Sequence, residues 1–333
     1  MANAVRAGAV LGVALLLIGC EGITNSTSGD ETTDSVACEQ IEYAWKLAFS
    51  GSNDHPQYLA AQQMAADLAT RTSCRLTVEV YADELLGTPD EVLTNLSQGV
   101  LELAFVDGTT LEMFGGDFVV YNLPYVFDSA ESQAAVLGDY DLNEQLFTSL
   151  ETSHGITVLA AFGNGTTGIH TTTGPISRPS DLADLTIGVP PAESQIAAIA
   201  AMGAIPTPMT AAEMSAALII GTLQGIQPAG HFTAQYDDIA PYYSATAHTM
   251  VPTYLVASTR ALQSMTTHDQ QVLYELADIA RLQANENLAG FITAAQTDST
   301  ATITTGIDTA TFEELLAPIQ EELVSSTYAT ELL

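Results

Sequence analysis

The fold is decided by the stretch from Tyr43 to Tyr81, YAWKLAFSGSNDHPQYLAAQQMAADLATRTSCRLTVEVY. It opens with an apolar, strand-like run, YAWKLAF, which breaks at GSNDHP. A helix follows, with Ala60, Met64 and Leu68 on one face, and a second strand ends the stretch. Strand, helix and strand in this order are typical of a βαβ unit, so we predict an α/β fold.

The same alternation continues along the chain. About 295 residues follow the N-terminal leader, which is too many for one core and indicates two lobes. A late capping box at Thr266 to Asp269 predicts a long helix with Val272, Leu276 and Ile279 facing inward. The other predicted elements are helices over 90–96, 192–202 and 213–220, and strands over 101–106, 156–162 (opening the second lobe) and 185–189.

The N-terminus predicts export. Residues 7–18 are apolar but too few to span a bilayer, and they end at Leu17-Ile18-Gly19-Cys20, which matches a lipobox. We therefore predict a lipoprotein signal peptide over 1–19, lipidation of Cys20 and a flexible tether over 20–37. The alternative is an ordinary signal peptide with an incidental Cys20. In either case we expect an extracytoplasmic, periplasmic location.

Two cysteines remain once Cys20 is assigned to the lipid. Cys38 and Cys74 each lie just before a predicted strand. If those strands are parallel neighbours, both cysteines lie at the same edge of a sheet, and an oxidising compartment favours a disulfide. The alternative is two buried free thiols.

The charge balance excludes several classes of function. The chain has 40 acidic and 7 basic residues, and Lys46 is the only lysine. Binding to nucleic acid or to anionic lipid through a basic surface is therefore excluded. The acidity is consistent with a salty habitat, with solubility or with a cationic ligand, and the even scatter of the acids favours the first two.

No catalytic constellation is recognisable. The six histidines lack metal-ligand spacing, and no Gly-x-Ser-x-Gly elbow or phosphate-binding loop occurs. A nucleophile with an adjacent base is also missing, so we predict a binding protein without cofactor or metal. A hydrolase on a two-lobed scaffold is the alternative from another class.

Several separated segments resemble the TRAP-transporter solute-binding family, the receptors for sialic acid and C4-dicarboxylates. The resemblance covers about residues 45 to 325, and its strength is the order of the pieces at family spacing. The pieces are His55-Pro56, Leu86-Gly87, NLPYVF over 122–127, LTIGVP over 185–190, GAIPTPM over 203–209 and Leu223-Gln224-Gly225.

The resemblance implies a two-lobed, Venus-flytrap binding protein with crossing hinge strands and a long helix spanning both lobes. The lobe limits we expect are 38–163 with 252–292 and 164–251 with 293–333. A small molecule is trapped as the lobes close, because contacts to both lobes exist only in the closed state. The closed form then docks on a TRAP-type membrane permease. A lipid-anchored sensor or scavenger without a permease is the alternative.

The departures from the family pattern concern its ligand-binding positions. Gly188 replaces an arginine that grips the substrate carboxylate in the family, and Thr167 replaces a second arginine that is common in the family. Pro191 and Pro228 replace asparagines, and Ala211 replaces an aromatic residue. These five positions are candidate ligand contacts, and their small side chains predict a larger and more apolar cleft.

A buried carboxylate without a cationic partner costs several kcal/mol. We therefore expect an uncharged or apolar ligand, and a cationic solute held by Asp107 is the alternative. Asn53, His55, Val106 and His231 complete the candidate contacts. For Asp107 the competing interpretation is an ordinary helix cap, and His170 is expected to be a surface or hydrogen-bonded histidine.

Overall fold

The structure, a computed structural model, describes residues 41–324 and Leu332. The predicted signal peptide, the lipidation site Cys20, the tether and Cys38 lie outside these residues. The strands are β1 (Tyr43–Ala48), β2 (Leu76–Tyr81), β3 (Leu103–Asp107), β4 (Ile156–Phe162), β5 (Ile169–Thr171), β6 (Thr186–Val189), β7 (Ile205–Pro208), β8 (Gly225–Ile226), β9 (Tyr242–Ser244), β10 (Thr253–Ser258) and β11 (Thr302–Thr304).

The helices are α1 (Pro56–Arg71), α2 (Pro89–Gln98), α3 (Gly108–Phe114), α4 (Ala130–Gly138), α5 (Tyr140–His154), α6 (Glu193–Ala201), α7 (Ala211–Ile220), α8 (Thr259–Ser264), α9 (Thr267–Asp298) and α10 (Thr309–Leu323). The five predicted helices, α1, α2, α6, α7 and α9, fall close to their predicted positions, and the other five were not predicted. Three short 3-10 helices cover Gly116–Asn122, Pro179–Leu182 and Ala234–Tyr236.

The first lobe is built on a five-stranded sheet of order β2-β1-β3-β10-β4. Strands β1 and β2 are parallel, with Tyr43 opposite Leu76, and α1 joins them, which confirms the predicted βαβ unit. Strand β4 pairs with β10 at the sheet edge. The strand over 156–162 was expected to open the second lobe, but it completes the first sheet instead.

The second lobe is built on a six-stranded sheet of order β11-β9-β5-β8-β6-β7. One face is covered by α6 and α10, and its core includes Ile187, Val189 and Phe312. The other face packs against a smaller apolar cluster that includes Met214 of α7, Leu223 and Ile226. The central strands are therefore covered on both faces, whereas the edge strand β7 is partly exposed.

Two crossing segments join the lobes. One runs from β4 to β5 over 163–168, and the other runs from β9 to β10 over 245–252. The Thr167 N–H donates to the Thr249 carbonyl at 2.9 Å, so the two segments are tied to each other. The predicted crossing strands are therefore present, whereas the exact lobe limits remain a prediction.

The long helix α9 contacts both lobes. It begins after Thr266, whose hydroxyl accepts from the Asp269 N–H at 3.1 Å, as the capping box predicts. Val272 and Leu276 are buried, but Ile279 is 42% exposed, so that part of the prediction is wrong. Ala280 is buried instead, because the buried residues in this part of the helix follow one another at a spacing of four.

The two ends of α9 are held by different lobes. Its first turns pack against α1 and β4 of the first lobe. Just beyond its last residue, the Ser299 hydroxyl and the Thr300 N–H both donate to Asp237 Oδ2 of the second lobe at 2.8 Å. Any change in the angle between the lobes therefore acts on this helix.

Cys74 lies two residues before β2 and takes part in a disulfide. Its side chain is buried. The bonded partner lies outside the described residues, so the pairing of Cys38 with Cys74 stays a prediction. The parallel pairing of β1 with β2, on which that prediction depends, is present.

Candidate ligand cleft

The cleft begins at the carboxyl ends of β1 and β3, where α/β folds place ligand groups. Phe49, Val106, Asp107 and Glu84 line a cavity of about 10 Å³ there, close to the room that one water molecule needs. Phe49 packs edge-on against Phe105 with ring centroids 5.5 Å apart. Two of the predicted contacts, Val106 and Asp107, therefore line a narrow, aromatic-walled recess in the first lobe.

Asp107 caps helix α3. One of its carboxylate oxygens accepts from the Thr110 N–H at 2.9 Å and from the Thr109 hydroxyl, and the other accepts from the Thr110 hydroxyl at 3.1 Å. The structure therefore shows the helix-cap role that was the competing interpretation. Both oxygens already accept hydrogen bonds, which reduces their capacity to hold a cationic ligand.

Two predicted residues from different lobes meet in an aromatic cluster. The His55 and His231 rings lie 5.2 Å apart, and Phe291 of α9 lies 5.3 Å from His55 and 5.6 Å from His231. His55 Nδ1 accepts from the Gln57 N–H at 3.2 Å and so caps α1. Asn53, by contrast, is exposed on the preceding turn.

Both imidazoles are neutral at pH 7. Burial, together with the nearby His231, lowers the pKa of His55 to about 3, and Asp54 acts in the opposite direction. Burial also lowers the pKa of His231. The histidines between the lobes therefore supply polar, uncharged surface and no positive charge for an anion.

The space beside Gly188 is filled. A Cβ atom at this position would lie 2.7 Å from Leu223 Cδ1, 3.1 Å from Met214 Cγ and 3.2 Å from Ile226 Cγ2. The enlargement of the cleft that the loss of the arginine predicted is therefore not found here. The apolar cluster of the second lobe occupies the space, and a glycine is the only residue that fits without repacking.

The remaining predicted contacts are dispersed. Thr167 is fully buried on the crossing segment, and its Oγ1 has no hydrogen-bond partner among the described residues. Pro191 and Ala211 are exposed, and Pro228 is half-buried. Thr167 is thus buried in a segment that joins the lobes, whereas the other three residues are exposed or only partly buried.

Sequence reasoning missed a buried polar network that crosses from one lobe to the other. Glu112 of α3 accepts from the Ser194 N–H at 2.9 Å and the Ser194 hydroxyl at 2.6 Å, at the start of α6 in the second lobe. It also accepts from Asn122 Nδ2 at 2.9 Å. The one available signal was Ala192, which occupies the N-cap of α6 without a polar side chain, so that another element must supply the cap.

Two glutamines extend the network. Gln195 Nε2 donates to the Asn122 carbonyl at 3.1 Å, and Gln227 Nε2 donates to Gln195 Oε1. The Gln227 N–H also donates to the Gly188 carbonyl at 2.8 Å. Burial raises the pKa of Glu112, and its hydrogen bonds from Ser194 and Asn122 oppose that rise.

The described cations lie away from this region. Four of them, Arg71, Arg75, Arg178 and Arg281, form ion pairs with carboxylates. Arg178 is exposed and pairs with Asp181 in a turn. The remaining two are Lys46, exposed on β1, and Arg260 of α8, which packs against Gly99.

Two larger cavities lie beside the lobe boundary. One of about 700 Å³ is enclosed by the start of α4, the crossing segments, α9 and α10. The other, of about 670 Å³, lies between α3, α5 and the start of α6, and Pro191 is its only predicted ligand contact. Within residues 41–324, no group of three or more His, Cys, Asp or Glu side chains is placed to hold a metal ion.

Two α/β lobes, crossing segments and a helix held by both define a solute-binding protein of the periplasmic type. The chain belongs to the bacterial extracellular solute-binding protein family 7, whose model matches residues 47–326. It is a non-enzymatic, extracytoplasmic binding protein of TRAP transporters. In the part that the structure describes, no helix combines the length and apolarity needed to cross a membrane.

Relatives and solved structures agree with this assignment. The chain is 24% identical to a solute-binding protein of Chromohalobacter salexigens, over 97% of this chain and 92% of the relative. It is 25% identical to the C4-dicarboxylate-binding periplasmic protein DctP of Rhodobacter capsulatus, over 76% and 78% of the two chains.

Among solved structures, a TRAP solute-binding protein from Sulfitobacter with bound β-D-galacturonate has a TM-score of 0.80 at 20% identity, over 87% of this chain and 97% of that one. Another from Chromohalobacter salexigens, with bound D-glucuronate, has a TM-score of 0.80 at 22% identity, over 86% and 98%. These likenesses support the two-lobed fold.

Proposed function

We propose that this protein captures an uncharged solute between its lobes and delivers it to a TRAP-type membrane permease. The observation that carries the proposal is the environment of Gly188. Apolar side chains fill the position where the family resemblance places a carboxylate-binding arginine. Of the described cations, Arg281 lies on α9 and is paired with Asp278, and His55 and His231 are neutral at pH 7.

The energetic argument is one of desolvation. Transferring a carboxylate out of water costs several kcal/mol unless a cation or several donors replace its hydration. Glu112 is part of the buried polar network between the lobes. As a carboxyl group it offers no attraction to a carboxylate ligand. The relatives with bound galacturonate or glucuronate therefore indicate how this fold holds a solute, while the ligand class of this chain differs.

We expect sugar acids and C4-dicarboxylates to bind with Kd values no lower than about 1 mM, or about −4 kcal/mol. Isothermal titration calorimetry of the unmodified mature protein with D-galacturonate, D-glucuronate and succinate measures this directly. A uronate-binding relative titrated under the same conditions is the positive control. Micromolar affinity for any of the three acids contradicts the proposal.

We also propose that the protein is attached to a membrane through lipid on Cys20, since the lipobox directly follows the apolar leader. Cys20→Ser is expected to abolish acylation and to release the protein into the soluble fraction after export. Metabolic labelling with a palmitate analogue and detergent phase partitioning measure this. The unmodified protein is the control, which carries the label, and a labelled Cys20→Ser protein contradicts the anchor.

A further inference from the structure

We infer that the two lobes turn about a fixed seam, that Glu112 is the positioning residue of this seam, and that the cleft opens where His55 meets His231. The seam is the contact of residues 112–124 of the first lobe with α6 and α10 of the second. Because the inference concerns the movement of the lobes, it applies to a solute of any charge. It goes beyond the proposed function and does not depend on it.

The apolar part of the seam belongs to the cores of both lobes. Phe118 and Tyr121 are three residues apart in a 3-10 helix, which places them on one side of it, and both lie in the first-lobe core. Val119 and Leu123 lie instead in the second-lobe core, in the same apolar cluster as Phe312 of α10. Val119 is 7% exposed and Leu123 is fully buried. Separation of the lobes at the seam would expose both side chains to water.

Hydrogen bonds from two second-lobe helices reach the same segment of the first lobe. Gln195 Nε2 of α6 donates to the Asn122 carbonyl at 3.1 Å, and Gln320 Nε2 of α10 donates to the Pro124 carbonyl at 2.7 Å. Asn122 and Gln195 are fully buried. A buried polar group that loses its partner destabilises the protein, so these bonds resist separation of the lobes as the apolar contacts do.

Glu112 fixes the seam through the first turn of α6. Its Oε1 accepts from the Ser194 N–H at 2.9 Å, and its Oε2 accepts from the Ser194 hydroxyl at 2.6 Å. The N-cap residue of α6 is Ala192, which has no side-chain acceptor, so the carboxylate of the other lobe takes that role. Glu112 is 8% exposed and Ser194 is fully buried, so water has little access to these bonds. Separation of the lobes at this point would leave the start of α6 without its cap.

The contact between His55 and His231 is of a different kind. Their rings lie 5.2 Å apart, and no hydrogen bond among the described residues joins them. His55 Nδ1 accepts from the Gln57 N–H of its own helix, and His231 Nδ1 lies 3.3 Å from Asn164 Oδ1 on a crossing segment. Neither of these bonds requires the other ring, and water can hydrogen-bond to an imidazole that becomes exposed. The lobes therefore part at the histidines more easily than at the seam.

Distances between spin labels in the ligand-free protein test this inference. Labels on Met113→Cys and Glu193→Cys span the seam, and labels on Asn53→Cys and Gln235→Cys span the histidine contact. All four native side chains are exposed. Continuous-wave and pulsed electron paramagnetic resonance measure the two distance distributions. We expect a narrow distribution for the seam pair and a broader one for the histidine pair, because a rotation displaces points near its axis least.

Three variants test the role of Glu112 in proteins that also carry Cys20→Ser and are labelled without reductant, so that the disulfide of Cys74 stays intact. Glu112→Ala is expected to broaden the distribution of the seam pair. Ser194→Ala is expected to broaden it less, because the backbone N–H still donates to Glu112. Glu213→Ala is the matched control and is expected to change neither distribution, since Glu213 caps its own helix within the second lobe. A loss of stability alone does not move these distances.

A seam distribution as broad as that of the histidine pair overturns the inference, because Glu112 would then be a latch that opens with the cleft. Two equally narrow distributions also overturn it, since the lobes would then not turn about the seam. If Glu112→Ala does not fold, Ser194→Ala provides the test of the positioning role. An unchanged seam distribution in Ser194→Ala, and in Glu112→Ala where it folds, contradicts that role. Each of these results leaves the proposed function standing.

Discussion

Gly188→Arg is expected to lower the free energy of unfolding by about 3 kcal/mol or more, since it combines overpacking with a buried, unpaired charge. Leu223, Met214 and Ile226 already fill the space beside Gly188. The new guanidinium must either displace them or remain without a carboxylate partner. Urea unfolding followed by circular dichroism measures the change at constant m-value.

Gly188→Ala is the matched control for this experiment. It adds only a Cβ, which would lie 2.7 Å from Leu223 Cδ1 and 3.1 Å from Met214 Cγ, and it also reduces the freedom of the unfolded chain. A loss of no more than about 1 kcal/mol is expected. If Gly188→Arg is as stable as the unmodified protein and gains micromolar affinity for galacturonate, the position is open to the ligand cleft and our description of it is wrong.

Glu112→Ala is expected to cost about 3 kcal/mol or more, because it leaves three buried donors without an acceptor. Those donors are the Ser194 N–H and hydroxyl and the Asn122 amide. The start of α6 also loses the carboxylate that caps it from the other lobe. Urea unfolding measures the loss, with Glu213→Ala as the control, since Glu213 caps its own helix α7 at an exposed position.

Glu112 also predicts a pH dependence. Burial raises the pKa of this carboxyl in the folded protein above its usual value of 4.5, so the folded state holds the proton at a higher pH than the unfolded chain does. The stability gained from this group is therefore complete below pH 4.5 and is lost as the pH rises through the raised pKa. In Glu112→Gln the free energy of unfolding is expected to change less with pH over this range. The same pH dependence in Glu112→Gln and in the unmodified protein would contradict the assignment to Glu112.

The fold could be predicted from the sequence because its signals are local. Ala60, Met64 and Leu68 mark the buried face of α1, and Thr266 marks the start of α9. The error at Ile279 arose because a helix of this length can shift its buried face by one position, and that choice depends on what packs against it. The membership of β4 in the first sheet likewise depends on pairing with β10, nearly a hundred residues later.

The site was less predictable, since it depends on contacts between distant segments. The sequence shows that an arginine is missing at Gly188, but it does not show that Leu223 and Met214 fill the space. Similarly, Glu112 lies in a short helix whose pattern gives no sign of a partner in the second lobe. His170 was expected at the surface or hydrogen-bonded; it is fully buried, and neither ring nitrogen has a partner within the described residues.

Helix α9 has a mechanical consequence for how the lobes part. Its 32 residues extend about 48 Å, with one end packed on the first lobe and the other held by Asp237 of the second. Opening of the lobes would therefore bend the helix or displace its end. Gly290 is exposed and has no side chain, so we expect the helix to bend most easily at that turn. Because both lobes hold this helix, its bending stiffness would oppose any change in the angle between them.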